Sequence, residues 1–265
     1  MTPSVLDLLR EWMPGAPLVT LAALGAAYGL AVRRTPRWPA RRSVCFAAGL
    51  LVLAVALLSG VDAWADRLQW VHMLQHTLLA LVAPPLLAAG APLTLALRRH
   101  VPGAAAVVRS RALGQPALGL LALAGTMLAV HLTGLYEASL RNAWLHVAEH
   151  LALVTAGLLF WAPLVGADPT HRVGAVARIG WLLALMAPMG ALSAVLVTSA
   201  PRSTSYTASA TALGVDPAAD QRTAALVMWI GGSGLVTLAL LVLAAVALWQ
   251  EETRMRRREA LEARP

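Results

Sequence analysis

Residues 70–97 read WVHMLQHTLLALVAPPLLAAGAPLTLAL, twenty-eight positions without an acidic or arginine side chain. A helix crosses the apolar core of a bilayer in about 20 residues, so this run is read as a membrane span. Pro84-Pro85 is expected to break or bend its helix, because proline lacks a donor and clashes with the preceding turn. Neighbouring helices can absorb such a break in a membrane. The run also opens with two histidines four positions apart, His72 and His76.

Moving outward, six further apolar runs lie at 16–32, 43–61, 116–136, 143–165, 175–199 and 223–249. Composition agrees: the 265 residues are 58% hydrophobic and 13% charged, against about 25% charged in a typical soluble domain. The reading is an all-α, polytopic membrane protein, with one seven-helix domain over residues 1–250 and a charged tail over 251–265. The start lacks the basic stretch, short apolar core and small-residue cleavage site of a signal peptide, so the first span is expected to be retained.

All 21 basic residues are arginine. Without lysine there is no Schiff-base chemistry and no phosphate-loop lysine. The single cysteine, Cys45, permits neither a disulfide nor a Cys-x-x-Cys motif. The net charge of +8 does not point to nucleic acid, since arginine gathers in the cytoplasmic loops of membrane proteins. Sixteen arginines fall after spans one, three, five and seven, and five on the other side: Arg10, Arg67, Arg141, Arg202 and Arg222. That asymmetry predicts the N-terminus outside and the C-terminus in the cytoplasm. The tail mixes Glu and Arg at helical spacing and reads as a helix on the anionic inner surface. The connection 200–222 could be a lid, a surface helix or a disordered link.

With that direction, His72, His76, His131, His146 and His150 all fall in the outer third of the membrane, although spans three and five run opposite to span four. Residues four apart share a helix face, which pairs His72 with His76 and His146 with His150. Ionisable groups in a bilayer usually face the bundle interior and serve function. Either pair alone could be a mere hydrogen-bonded couple; two pairs plus His131 at one depth point to a metal. Glu149 is placed to orient a ligand imidazole. Met127, Met189 and Met228 are candidate thioether ligands, although methionine is also an ordinary gap-filler. Imidazole and thioether together favour Cu(I), with zinc as the second choice. His100 and His171 are read as solvated loop residues.

His146-Val147-Ala148-Glu149-His150 also matches H-x-x-E-H, an inverted zinc-protease pattern. No acidic third ligand follows within a span, and a second histidine pair would be superfluous for hydrolysis. Bis-histidine haem needs ligands facing each other across the macrocycle, not paired on one face of one helix.

His72-Met73-Leu74-Gln75-His76, Ala83-Pro84-Pro85-Leu86-Leu87 and Gly90-Ala91-Pro92 resemble the signature of the CtaG-type cytochrome c oxidase assembly factors. So do Trp38-Pro39 with Arg41-Arg42, Phe160-Trp161 with Pro163-Leu164-Val165-Gly166, Asp168-Pro169, and Asp220-Gln221 with Met228-Trp229. Ser59-Gly60 stands where the family pattern has Ser-Pro, Ala162 where it has a second aromatic, and Met189 where many relatives carry histidine. The resemblance implies a seven-span bacterial inner-membrane protein that matures haem–copper oxidase and carries no catalysis of its own. It further implies copper delivery on the outer side. His72, His76, His146 and His150 match as ligands, and Asp62 and Asp220 as outer-rim acids. Expected partners are oxidase subunits or another copper chaperone, together with the lipid bilayer. The alternatives are a copper permease, a metal-free assembly scaffold and, less favoured, an intramembrane zinc protease.

Overall fold

The computed structural model describes residues 3–110, 114–169 and 173–262; His171 lies outside them. Among the described residues every regular element is helical. A short α1 (Val5–Arg10) is closed by reciprocal bonds between Ser4 and Asp7. It precedes the first two spans, α2 (Ala16–Arg33) and α3 (Ala40–Leu58). The rim helix α4 (Gly60–Ala65) starts at Ser59, whose hydroxyl accepts from the Val61 amide.

Span three departs from expectation in an informative way. It runs as α5 (Gln69–Thr77), one π turn (Leu78–Val82) and α6 (Ala83–Ala89). Pro84 and Pro85 do not break it. They sit in the first turn of α6, where a missing N–H is no loss, and the wider turn ahead of them takes up the mismatch. The interruption comes later, at Ala91, which is left-handed (φ 52°, ψ 52°) and hands over to α7 (Pro92–Arg98). The whole run still counts as one thirty-residue span, and a short α8 (Ala104–Arg109) follows it.

Span four also differs. It was expected to reach Tyr136, but α9 (Pro116–Leu132) stops four residues earlier and α10 (Leu135–Arg141) turns away by 79°. The Thr133 hydroxyl donates back to the Ala129 carbonyl and accepts from the Leu135 amide. That local alternative, followed by the poor helix former Gly134, ends the helix.

Span five is α11 (Ala143–Val165), capped by the Asn142 side chain and closed by left-handed Gly166. Span six is α12 (Ala175–Thr198). The connection 200–222 is ordered, holding α13 (Thr204–Ala212) and the start of α14 (Pro217–Leu226). The last span therefore begins at Pro217, six residues before the apolar run. It passes a π turn (Val227–Gly231) into α15 (Gly232–Glu262). Among the described residues six helical runs are long and apolar enough to cross a membrane, and the count is seven when α9 and the bent α10 are taken as one span.

Small residues set the close approaches, as expected where lipid supplies no hydrophobic drive between helices. A Cβ on Gly157 of α11 would lie 2.6 Å from the Ala80 carbonyl oxygen and 2.7 Å from Pro84 Cγ. Gly119 likewise lets α9 rest on the α11 backbone at Phe160. At one end of the bundle Arg42 and Arg98 stack on Trp38, at 5.0 and 5.5 Å from its ring centre. His72, His76, His131, His146 and His150 occupy the other end.

Above the histidines, α10 is latched to α13. Glu137 accepts from the hydroxyls of Ser203 (2.8 Å), Thr204 (2.8 Å) and Ser205 (2.5 Å), and pairs with Arg141 at 2.6 Å. Burial pushes its carboxyl up, but the Ser205, Ser203 and Thr204 donors outweigh that and hold it at about 2. A depressed carboxyl adds stability that is complete above its unfolded value and is lost as pH falls through the folded one. Thermal unfolding of wild type and Glu137→Gln should therefore differ at pH 7 and converge as the pH is lowered toward 2. A gap that stays constant over that range would remove the carboxylate from the latch.

Candidate metal centre

The five histidines expected at one depth converge. Ring centres lie 4.1 Å apart for His72–His76, 5.7 Å for His72–His146, 6.0 Å for His76–His131, 6.1 Å for His76–His150 and 4.3 Å for His146–His150. The i, i+4 register puts each pair on one face, and α5, α9 and α11 turn those faces to a common pocket. His72, His76 and His131 are buried, whereas His146 and His150 are half-buried toward the rim. His146 Nδ1 is 3.9 Å from the exposed Asp66 carboxylate. His100 is exposed.

Glu149 takes a more central place than its spacing suggested. Its carboxylate turns from its own helix to the span-three pair, with Oε1 at 3.1 Å from His76 Nε2 and 3.7 Å from His72 Nε2. One ligand atom from each of His72, His76 and Glu149 falls within 4.8 Å of the others, and all three residues are buried. Neither ring nitrogen of His72 or His76, nor Nε2 of His146 or His150, nor either Glu149 oxygen makes a well-formed hydrogen bond. Each buried polar group left so costs about 1–3 kcal/mol, and more if charged. A cation at their centre would satisfy these groups together, so the residues present fit a metal.

The remaining candidates divide. Met127 contributes its carbonyl oxygen, 2.9 Å from His131 Nδ1, while its side chain lines an apolar cavity with Met189, Leu81, Leu123, Leu185 and Pro188. Met228 is buried in the π turn of the last span. Among the described residues, none of these three thioethers hydrogen-bonds to a histidine ring nitrogen. Asp62 accepts from Gln75 Nε2 at 2.8 Å; burial raises its carboxyl and the Gln75 bond opposes that. Asp220 accepts from the amides of Gln69 (2.9 Å) and Trp70 (3.2 Å). It thus caps α5 one turn before His72, and positions a histidine without touching it.

Three neighbours escaped the sequence reading. Met73 Sδ lies 3.2 Å from His131 Nε2. Its only signal was its place inside His72-Met73-Leu74-Gln75-His76. Tyr136 covers the pocket, 5.2 Å from the His72 ring and 5.1 Å from that of His131. Tyr206 packs on Tyr136 at 5.6 Å and donates to the Ala65 carbonyl. Both tyrosines come from segments outside the histidine-bearing helices, and no spacing rule links them to the site.

The profile of the cytochrome c oxidase caa3 assembly factors (Caa3_CtaG) matches residues 26–251. An uncharacterized protein of Mycobacterium bovis and another of Mycobacterium tuberculosis are each 31% identical over 205 residues, 69% of this chain and 31% of theirs. One of Mycobacterium leprae is 28% identical over 204 residues, again 69% of this chain and 31% of its own. The chain thus spans about a third of the length of the curated relatives it matches. No solved structure matches it. The family match takes in the whole histidine pocket, from His72 on α5 to Glu149 and His150 on α11: this multi-pass helical membrane protein belongs to the cytochrome c oxidase caa3 assembly factor family.

Proposed function

We propose that this protein binds copper through the histidine pocket in the outer half of the bundle and passes it to cytochrome c oxidase. The observation that carries the reading is the group His72, His76 and Glu149, three buried residues whose ligand atoms face one another without other partners. His146, His150 and His131 stand close enough to complete or exchange a metal shell. Imidazole and carboxylate suit copper or zinc, and the family's role in oxidase assembly favours copper. The excess of arginine at the end opposite the histidines supports an N-out, C-in orientation in a bacterial plasma membrane. Oxidase subunits, or a copper chaperone that feeds them, are the partners this implies, and the function is carriage, not catalysis.

Half-buried His146, next to the exposed Asp66, brings the pocket to the rim, as a labile carrier needs. The spans hold no second acidic or histidine cluster among the described residues of the arginine-rich half, which disfavours a permease. The test is copper content. Purified full chain loaded with copper and dialysed should retain metal, and a His76→Ala/His150→Ala variant should lose most of it. Equal copper in both would leave a metal-free scaffold as the better account. Copper uptake into sealed vesicles carrying the protein would speak for the permease.

A further inference from the structure

His131 differs from the other four histidines in what its two nitrogens face. Nδ1 lies 2.9 Å from the Met127 carbonyl oxygen, which can only accept, so a neutral ring carries its proton there. Nε2 is then a bare lone pair, and it faces the Met73 sulfur at 3.2 Å. A thioether has no proton to give. The opposite tautomer would let Nε2–H point at sulfur, a weak acceptor, but would set the Nδ1 lone pair against the carbonyl. That exchanges a good buried hydrogen bond for a repulsive contact. Two electron-pair donors thus face each other in a region where His131 is 4% and Met73 1% exposed.

A ligand pair has this geometry. Metal–nitrogen bonds are about 2.0 Å and metal–sulfur bonds about 2.3 Å, so one ion can reach both atoms across 3.2 Å at close to a right angle. Met73 follows His72 by one position, about 100° around the helix. The helix α5 therefore turns His72 and His76 toward α11 and Met73 toward α9. The two sides differ in chemistry. The α11 side offers imidazoles and the hard oxygen of Glu149, a borderline set open to Zn(II) and Cu(II). The α9 side pairs imidazole with thioether, a combination that selects Cu(I). Between them stands His76, 6.0 Å from His131 and nearly perpendicular to it, and also within reach of Glu149.

We propose that Met73 Sδ and His131 Nε2 form a second, soft position in the pocket that takes Cu(I) in preference to Zn(II) or Cu(II), with His76 between the two positions. This rests on the reading of the pocket as a copper site.

X-ray absorption on the purified full chain, loaded anaerobically with one equivalent of Cu(I) or separately with Zn(II), tests it. The Cu(I) form should show a sulfur neighbour at about 2.3 Å, and the Zn(II) form nitrogen and oxygen only. Met73→Leu should keep Zn(II), lose the sulfur neighbour and bind Cu(I) about tenfold or more weakly. Met127→Leu should keep the sulfur, since that thioether lies in the apolar cavity. Bound Cu(I) with only nitrogen and oxygen neighbours in the wild type overturns this proposal and leaves the copper pocket standing. So does a sulfur neighbour that survives in Met73→Leu. A chain that binds neither ion overturns both readings. If Met73→Leu fails to fold, the wild-type and Met127→Leu spectra still decide.

Discussion

Replacing Glu149 by glutamine lowers the copper affinity of the purified chain by about 100-fold or more, while the metal-free protein unfolds at the same or a higher temperature. Both halves follow from one fact. Glu149 is 7% exposed, and its carboxylate has Oε1 3.1 Å from His76 Nε2 and no well-formed hydrogen bond on either oxygen. The imidazoles at 3.1 and 3.7 Å offset only part of the cost of burying that anion, so an isosteric neutral amide, which can still accept from His76, leaves the empty fold no less stable. With a cation present the same charge is the chief attraction in a low-dielectric pocket, and glutamine cannot supply it. Removing groups that merely orient a ligand costs 10–100-fold in metal affinity, and a ligand itself should cost more. Chelator competition gives the affinity, and thermal unfolding in detergent gives the stability. Undiminished affinity would exclude Glu149 as a ligand; reduced affinity together with a large loss of apo stability would make its role structural.

The second large effect is Gly157→Val. The added side chain would meet the Ala80 carbonyl oxygen at 2.6 Å and Pro84 Cγ at 2.7 Å. Backbone and a proline ring cannot step aside, so α11 must move away from span three. Overpacking of this kind costs about 1–3 kcal/mol. The consequence reaches the pocket because His146, His150, Leu153 and Gly157 lie on one face of α11 at helical spacing. Moving that face draws His146 and His150 away from His72 and His76. Denaturant unfolding should show the stability loss, and copper titration a drop in affinity. Gly125→Ala, where no atom lies within 4 Å, should leave the affinity unchanged and the stability equal or up to about 1 kcal/mol higher, because alanine is the better helix former. Wild-type affinity in Gly157→Val would mean that the site does not depend on the spacing of α11 and span three.

How much of this was legible beforehand follows from what each kind of pattern encodes. Apolar run length identified the membrane class and five of the spans to within three residues at each end, because spanning a bilayer is a constraint on each segment alone. It missed the turn after Leu132, which depends on the hydroxyl of Thr133 and the flexibility of Gly134. It also overread Pro84-Pro85, since a π turn can absorb a proline pair that a strict α-helix could not. Histidine spacing correctly paired His72 with His76 and His146 with His150, because both members of each pair ride on one rigid helix.

What the sequence determined by itself is therefore local or additive: a seven-span helical membrane protein, its family, and five histidines at a common depth. Tertiary structure alone decided that Glu149 turns to the histidines of another helix and that Met73, not Met127, offers its sulfur to His131. It decided too that Asp220 caps the histidine-bearing helix across the bundle, and that Tyr136 covers the pocket. Each of those depends on how far one helix is rotated and slid against its neighbour. Periodicity specifies the face a residue occupies on its own helix and carries no information about which neighbouring face lies opposite.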